Sequence, residues 1–200
     1  MKSNYVIPWA TTTINPRCRF LMLGSFTSDG GVDFYYYASS RNHFWYLLDA
    51  VLTCHNESFS GKTCKEIKKR ILGHNGFAKL INDLKQQTTN KEKEKIRLEI
   101  RKRLIKYSLD ICDLFKKVQV HKPKSNKDTN IIIEQSAFNE LDKMIVNKSI
   151  TIYCTSDYVF NELCRRFPQF ANCAKALIAP TTNKRIKLEY KIEEWRKSFQ

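Results

Sequence analysis

No apolar run in this chain is long enough to cross a bilayer, and the opening Met1-Lys2-Ser3-Asn4-Tyr5 lacks the hydrophobic stretch of a signal peptide. Both absences predict a cytoplasmic protein, or a nuclear one in a eukaryote, with no membrane partner. There is no C-x-x-C pair among Cys18, Cys54, Cys64, Cys112, Cys154, Cys164 and Cys173. An odd, scattered set argues against a disulfide framework and against a metal site, and a cysteine in an apolar run acts as a small buried hydrophobe. Neither G-x-G-x-x-G nor a P-loop is present, which weakens the case for a domain that binds a free nucleotide. Internal repeats and low-complexity tracts are missing too. Acidic residues are the scarce charge: 20 Asp and Glu stand against 35 Lys and Arg, a formal net charge of +15. A polyanion, nucleic acid first, is the expected partner, with a merely solvated basic surface as the alternative.

What is present suits a single domain over 1–200, because 42% hydrophobic content at this length supplies one core. Residues 1–17, with Pro8 and Pro16, read as an extended arm, since proline removes a donor and restrains its predecessor. Four apolar runs are strand candidates: Phe20 to Leu23, Ser108 to Cys112, Ile150 to Cys154 and Ala176 to Ala179. Helical spacing appears in His43 to Leu52, in a charged helix from about Lys91 to Leu104, in Ile131 to Val146 and in Leu188 to Phe199. The stretch Val120 to Asn130 reads as a surface loop. Such alternation predicts β-α-β units around a parallel sheet. The segment 62–106 is the basic centre: Lys65, Lys68, Lys69 and Arg70 lead to a glycine turn, and Lys91 to Lys106 crowd a second helix. Glu92, Glu94 and Glu99 lie among those cations, so a salt-bridged solvent face competes with direct DNA contact.

The most informative stretch runs from Leu21 to Trp45. Phe20-Leu21-Met22-Leu23 stops at Gly24-Ser25, and a polar loop leads into Tyr35-Tyr36-Tyr37-Ala38-Ser39-Ser40-Arg41-Asn42-His43-Phe44-Trp45. A strand that ends at glycine places its loop at the carboxyl edge of a sheet, where open α/β folds bind ligands. Flat aromatics, an amide and a guanidinium then suit a planar heterocycle carried on a phosphate backbone. Gly-Ser-Phe followed by Tyr-Tyr-Ala-x-x-Arg-Asn-x-Phe-Trp resembles the first motif of the uracil-DNA glycosylase superfamily, closest to its deoxyinosine (hypoxanthine) glycosylase-like branch. That resemblance implies a three-layer α/β/α fold with a small parallel sheet of about four strands.

It also implies roles. Asn42 matches the asparagine taken as catalytic in that branch; an amide is a poor base, but it can orient a water and hydrogen-bond sugar or base. The competing reading is an N-cap for the helix that begins near His43. Gly24, Ser25 and Phe26 form the loop that in relatives often carries a water-positioning polar residue; Phe26 cannot do this, and Thr27 stands where relatives often have proline. Tyr37 matches the aromatic that stacks on an extruded base, although three aromatics in a row also suit an edge strand. Phe44 and Trp45 read as core and pocket floor. Arg41 is a candidate phosphate ligand, with stabilisation of its loop through backbone carbonyls as the alternative. The segment Ser108 to Asp113 resembles the family's second strand, in which an aspartate lies near the base pocket; this assigns Asp110 to the pocket, and the alternative is that Asp110 or Asp113 only caps the next element.

The second family motif is a loop after the last strand, here Leu177-Ile178-Ala179-Pro180-Thr181-Thr182-Asn183-Lys184-Arg185. Histidine is absent and threonines replace the usual serines. Thr181, Thr182 and Asn183 remain donors toward a leaving base, and Lys184 and Arg185 suit phosphates or the minor groove; an ordinary strand-to-helix turn is the alternative. Ser156, in Thr155-Ser156-Asp157, is assigned to DNA backbone at a helix start, where capping would satisfy the same groups. The expectation is therefore a monomeric, monofunctional DNA glycosylase that needs no metal or cofactor. It would flip a deaminated or modified base from duplex DNA and hydrolyse its N-glycosidic bond. Two alternatives stand beside it: excision of a bulky modified base from foreign DNA in defence, and a non-catalytic DNA-binding relative.

Overall fold

Three of the four apolar runs become the centre of a parallel sheet. The computed structural model describes residues 3–6, 15, 17–25, 37–38, 42–120, 131–136, 150–181 and 185–200, with the side chains of 3–6, 115–120 and 131–136 outside that description. Strands β2 (Phe20–Gly24), β3 (Leu109–Asp113), β6 (Thr151–Cys154) and β7 (Ala174–Ala176) form a four-stranded, all-parallel sheet in the order β3-β2-β6-β7. In register, Gly24 lies beside Asp113, and Leu23 beside Cys112 and Cys154. The carboxyl ends of the strands therefore finish level.

Alternation along these strands divides the core into two. Met22, Leu109, Ile111 and Tyr153 face one side and pack with helices α1 (Phe44–Leu52), α2 (Cys64–Gly73), α3 (Phe77–Gln86), α4 (Asn90–Lys106) and α6 (Leu188–Phe199). Leu21, Leu23, Cys112, Ile152 and Cys154 face the other, against Val159 and Leu163 of α5 (Asp157–Arg166) and Phe170 of a short 3-10 turn. This is the three-layer α/β/α arrangement, with most of its described helices on one face. Each large apolar side chain so buried contributes roughly 1.5–3 kcal/mol.

Local chemistry fixes the helix ends. Thr63 and Glu66 form a reciprocal capping box on α2, and Thr89 accepts the N–H of Glu92 at 3.3 Å on α4. Helix α3 takes its cap from outside itself: Asp49 of α1, fully buried, accepts Phe77 N–H at 2.8 Å and Ala78 N–H at 2.7 Å. Only glycine fits at the joint, since a Cβ on Gly76 would lie 2.3 Å from Asp49 Oδ1. At the carboxyl end of α1, Arg196 of α6 donates to the carbonyls of Ala50 (3.1 Å), Glu57 (2.9 Å) and Cys54 (2.6 Å). All seven cysteines are free thiols. Burial pushes that of Cys154 up to about 12, so it is inert.

Three expectations need correction. The last strand is Ala174–Ala176, earlier than the run Ala176 to Ala179: beyond Ala176 the chain stays apolar because Leu177 enters the core, and the Leu177 N–H, donating to Cys154 O at 2.8 Å, is the last tie to the sheet. The segment beginning at Ile131 is strand, not helix. β5 (Ile131–Ser136) pairs antiparallel with β4 (Phe115–Val120), as the β-branched triplet Ile131-Ile132-Ile133 favours, and residues 137–146 lie outside the described part. Within the arm read as extended, β1 (Ser3–Val6) is a strand, and it completes a second, antiparallel sheet in the order β1-β4-β5. Of the stretch Val120 to Asn130, read as a surface loop, Val120 instead ends β4, and residues 121–130 fall outside the described residues. Among the described residues no helix is long and apolar enough to cross a membrane.

Candidate functional site

The carboxyl edge of the parallel sheet gathers most of the described site candidates. Gly24 ends β2 beneath Tyr37: a Cβ there would lie 1.6 Å from the Tyr37 phenol oxygen and 2.8 Å from Asp113 Oδ1. The glycine is thus required by close approach, because the phenol and the buried carboxylate of Asp113 both crowd the place a Cβ would take. Tyr37 adopts φ 55°, a left-handed conformation uncommon outside glycine, and stacks on Phe44 with ring centroids 4.2 Å apart. One ring face is therefore part of the core. Phe44 in turn packs edge-on to Trp45 and Trp195, which places the Phe-Trp pair in the core beneath the site.

Asn42 lies two residues before α1, ahead of the cap position His43. Its side-chain oxygen accepts the N–H of Phe44 at 2.8 Å, so the amide does secure the helix start. The group it retains for a ligand is the Nδ2 donor. Asn42 also pairs with Thr181 in an isolated antiparallel bridge, and His43 N–H donates to Pro180 O at 2.8 Å. The two sequence segments singled out as walls of a pocket thus lie side by side.

A residue absent from the sequence reading holds the second segment. Lys191 of α6, 1% exposed, donates from Nζ to Ala179 O at 2.6 Å and to Thr181 O at 2.7 Å. Trp195 Nε1 donates to Ile178 O at 2.9 Å, one residue earlier. The available signal was spacing, because position 191 falls on the apolar face with Leu188, Ile192 and Trp195.

His43 is the other missed group. It is 7% exposed, its Nδ1 is buried with no hydrogen-bond partner among the described residues, and its pKa is lowered to about 4 by burial first and then by Lys68 and Lys191. It is a neutral imidazole at physiological pH. Burial likewise depresses the ammonium of Lys191.

Other assignments separate. Ser25 follows Gly24 on the same edge, half-buried. Ser156 also lies at this edge, after β6, and its hydroxyl accepts Val159 N–H at 3.3 Å as the cap of α5. Asp110 does not join the group. It pairs with Leu21, three residues below the edge, and its carboxylate accepts Asn15 N–H at 2.6 Å and Ile111 N–H at 2.8 Å; Asp113 holds the place beside Gly24. Arg185 is exposed in the turn before α6. Phe26, Arg41, Thr182, Asn183 and Lys184 lie outside the described residues.

The basic segment is solvent-facing in large part. On α4, Lys91, Lys95, Arg101, Lys102 and Lys106 are exposed, while Arg97 pairs with Glu94 and Arg103 with Glu99. Helix α4 leads directly into the amino end of β3. Comparison with protein-family models, with curated proteins and with solved structures finds no match for this chain.

Proposed function

We propose that this protein is a monofunctional DNA glycosylase of the uracil-DNA glycosylase superfamily, closest to the deoxyinosine glycosylase-like branch. It would flip a deaminated or modified base from duplex DNA and hydrolyse the glycosidic bond with water. The observation that carries the reading is the Asn42–Thr181 bridge: the two segments that resemble the family's motifs are far apart in sequence, yet they adjoin on the carboxyl edge of a four-stranded parallel sheet. Asn42 would donate from Nδ2 to the base, the sugar or an attacking water, and Thr181 would line the leaving side. Asp113, beside Tyr37 and Gly24, is better placed at the edge than Asp110 to orient that water. Bond cleavage of the dissociative kind asks chiefly for positioning and electrostatics, which such groups supply. The net charge of +15 suits a DNA backbone.

A second reading, a DNA-binding relative without turnover, is favoured by one observation: the Asn42 oxygen is committed to the helix. The deciding experiment incubates the protein with duplexes carrying deoxyinosine, deoxyuridine or a substituted cytosine, then cleaves abasic sites with alkali. Strand breaks identify a glycosylase. Binding without breaks on every duplex establishes the non-catalytic reading. Release of only the substituted base moves the role from repair to defence against foreign DNA.

A further inference from the structure

Lys191 is costly as a packing residue. Its side chain is as buried as the tryptophan one turn away, and among the described residues its Nζ bonds are to two carbonyls, with no carboxylate partner. A buried cation that lacks an opposite charge loses several kcal/mol of hydration, and an apolar chain of the same length would pack more cheaply. The return is found in what it grips. Ala179 O and Thr181 O turn to Lys191 on α6, while Pro180 O, between them, turns to His43 N–H at the start of α1. Three consecutive carbonyls are shared alternately between two helices, and the strand-like pairing of Thr181 with Asn42 follows from that register.

We propose that Lys191 is a positioning residue of the candidate site. Its ammonium fixes residues 179–181 in the register that sets Thr181 against Asn42, and it keeps a positive charge behind that wall. The role of the charge rests on the glycosylase reading, in which negative charge develops on the departing base in front of the wall; the fixing of the loop does not. Among the described residues, the titratable group coupled to it is His43 at the start of α1, which is itself coupled to Lys68 of α2. His43 titrates on the acid side, and an alkaline limb is assigned to Lys191 only where it disappears in a variant that lacks the ammonium.

The test compares the wild-type chain with Lys191→Met, which keeps the length and loses the donors, and Lys191→Arg, which keeps a cation. Hydrogen exchange at the His43 amide should accelerate about tenfold or more in Lys191→Met, the scale of losing hydrogen bonds to a charged group, with Leu21 and Leu47 amides unchanged. Single-turnover base release should fall in wild type as alkaline pH neutralises Lys191. Lys191→Met should be slow and flat over that limb, with duplex affinity retained within about twofold, and Lys191→Arg should recover part of the rate. Unchanged His43 exchange in a folded Lys191→Met overturns the proposal, as does faster exchange spread evenly through the core, which marks a general stability role. A wild-type chain that releases no base from any duplex refutes the glycosylase reading instead, and the exchange comparison still decides the role of Lys191.

Discussion

The side-chain oxygen of Asn42 accepts the backbone N–H of Phe44 at 2.8 Å, which assigns the two ends of one amide to two jobs. Asn42→Asp separates them. A carboxylate keeps the acceptor at the start of α1, where a negative charge is favoured, and loses the Nδ2 donor. Thermal unfolding should therefore be unchanged or slightly later, while single-turnover excision falls about a hundredfold, the scale of one key positioning contact. Wild-type rates in Asn42→Asp would remove Asn42 from the chemistry.

Tyr37 already spends one face of its ring on Phe44. If the other face receives the flipped base, Tyr37→Leu should weaken binding to a lesion-bearing duplex by about 1–3 kcal/mol, and Tyr37→Phe should not. Fluorescence anisotropy on lesion and intact duplexes measures both. Equal losses on the two duplexes would place Tyr37 in the core alone.

Two buried groups near and within α1 titrate with opposite consequences for stability. The Asp49 carboxyl is raised from 3.8 to about 6, chiefly by burial and against its two backbone hydrogen bonds, so its contribution is full below about pH 4 and lost as pH rises through 6. His43 is lowered from 6.5 to about 4, so its contribution is full above pH 6.5 and lost as pH falls through 4. Each effect is on the order of 3 kcal/mol, and the two offset each other between pH 4 and 6.5. Urea midpoints of wild type should be nearly level there. Asp49→Asn should expose a midpoint that rises with pH, and His43→Gln one that falls; identical pH profiles for all three would contradict both assignments.

Affinity for DNA should be salt-sensitive. The exposed cations of α4 meet phosphates if its lysine-rich start faces the site, and the logarithm of the binding constant should then fall with the logarithm of salt at about −0.9 per phosphate neutralised. Replacing Lys91 and Lys95 together with glutamine should reduce that slope by one to two such units, roughly. An unaltered slope would return α4 to the role of a solvated, salt-bridged face.

The parallel strands β2, β3 and β6 were legible because each is a short apolar run that stops at a turn, and α1, α4 and α6 because their spacing is helical over two turns or more. Segment Ile131–Ser136 misled because a short apolar run satisfies both periods, and only its β-branched residues and its pairing with Phe115–Val120 decide for strand. In the site, Asn42 and Thr181 were visible as residue types in motifs, but their contact was not, since bridges between distant segments leave no mark in local pattern. Lys191 was hidden by its charge: in a helix with Glu189, Glu193, Glu194, Arg196 and Lys197, one more cation reads as solvent-facing unless its face is counted. Asp113 and Asp110 were indistinguishable until strand register placed one at the edge and the other three residues below it.

Helix α6 fastens α1 at both ends. At one end Lys191 holds the loop that clasps His43 and Asn42, and at the other Arg196 grips the carbonyls of Ala50, Cys54 and Glu57. The two helices make a single bracket held at two supports, and Asn42 sits at one of those supports. The spacing between Asn42 and Thr181 is therefore set by how α6 packs on α1, and serves as the gauge of the site.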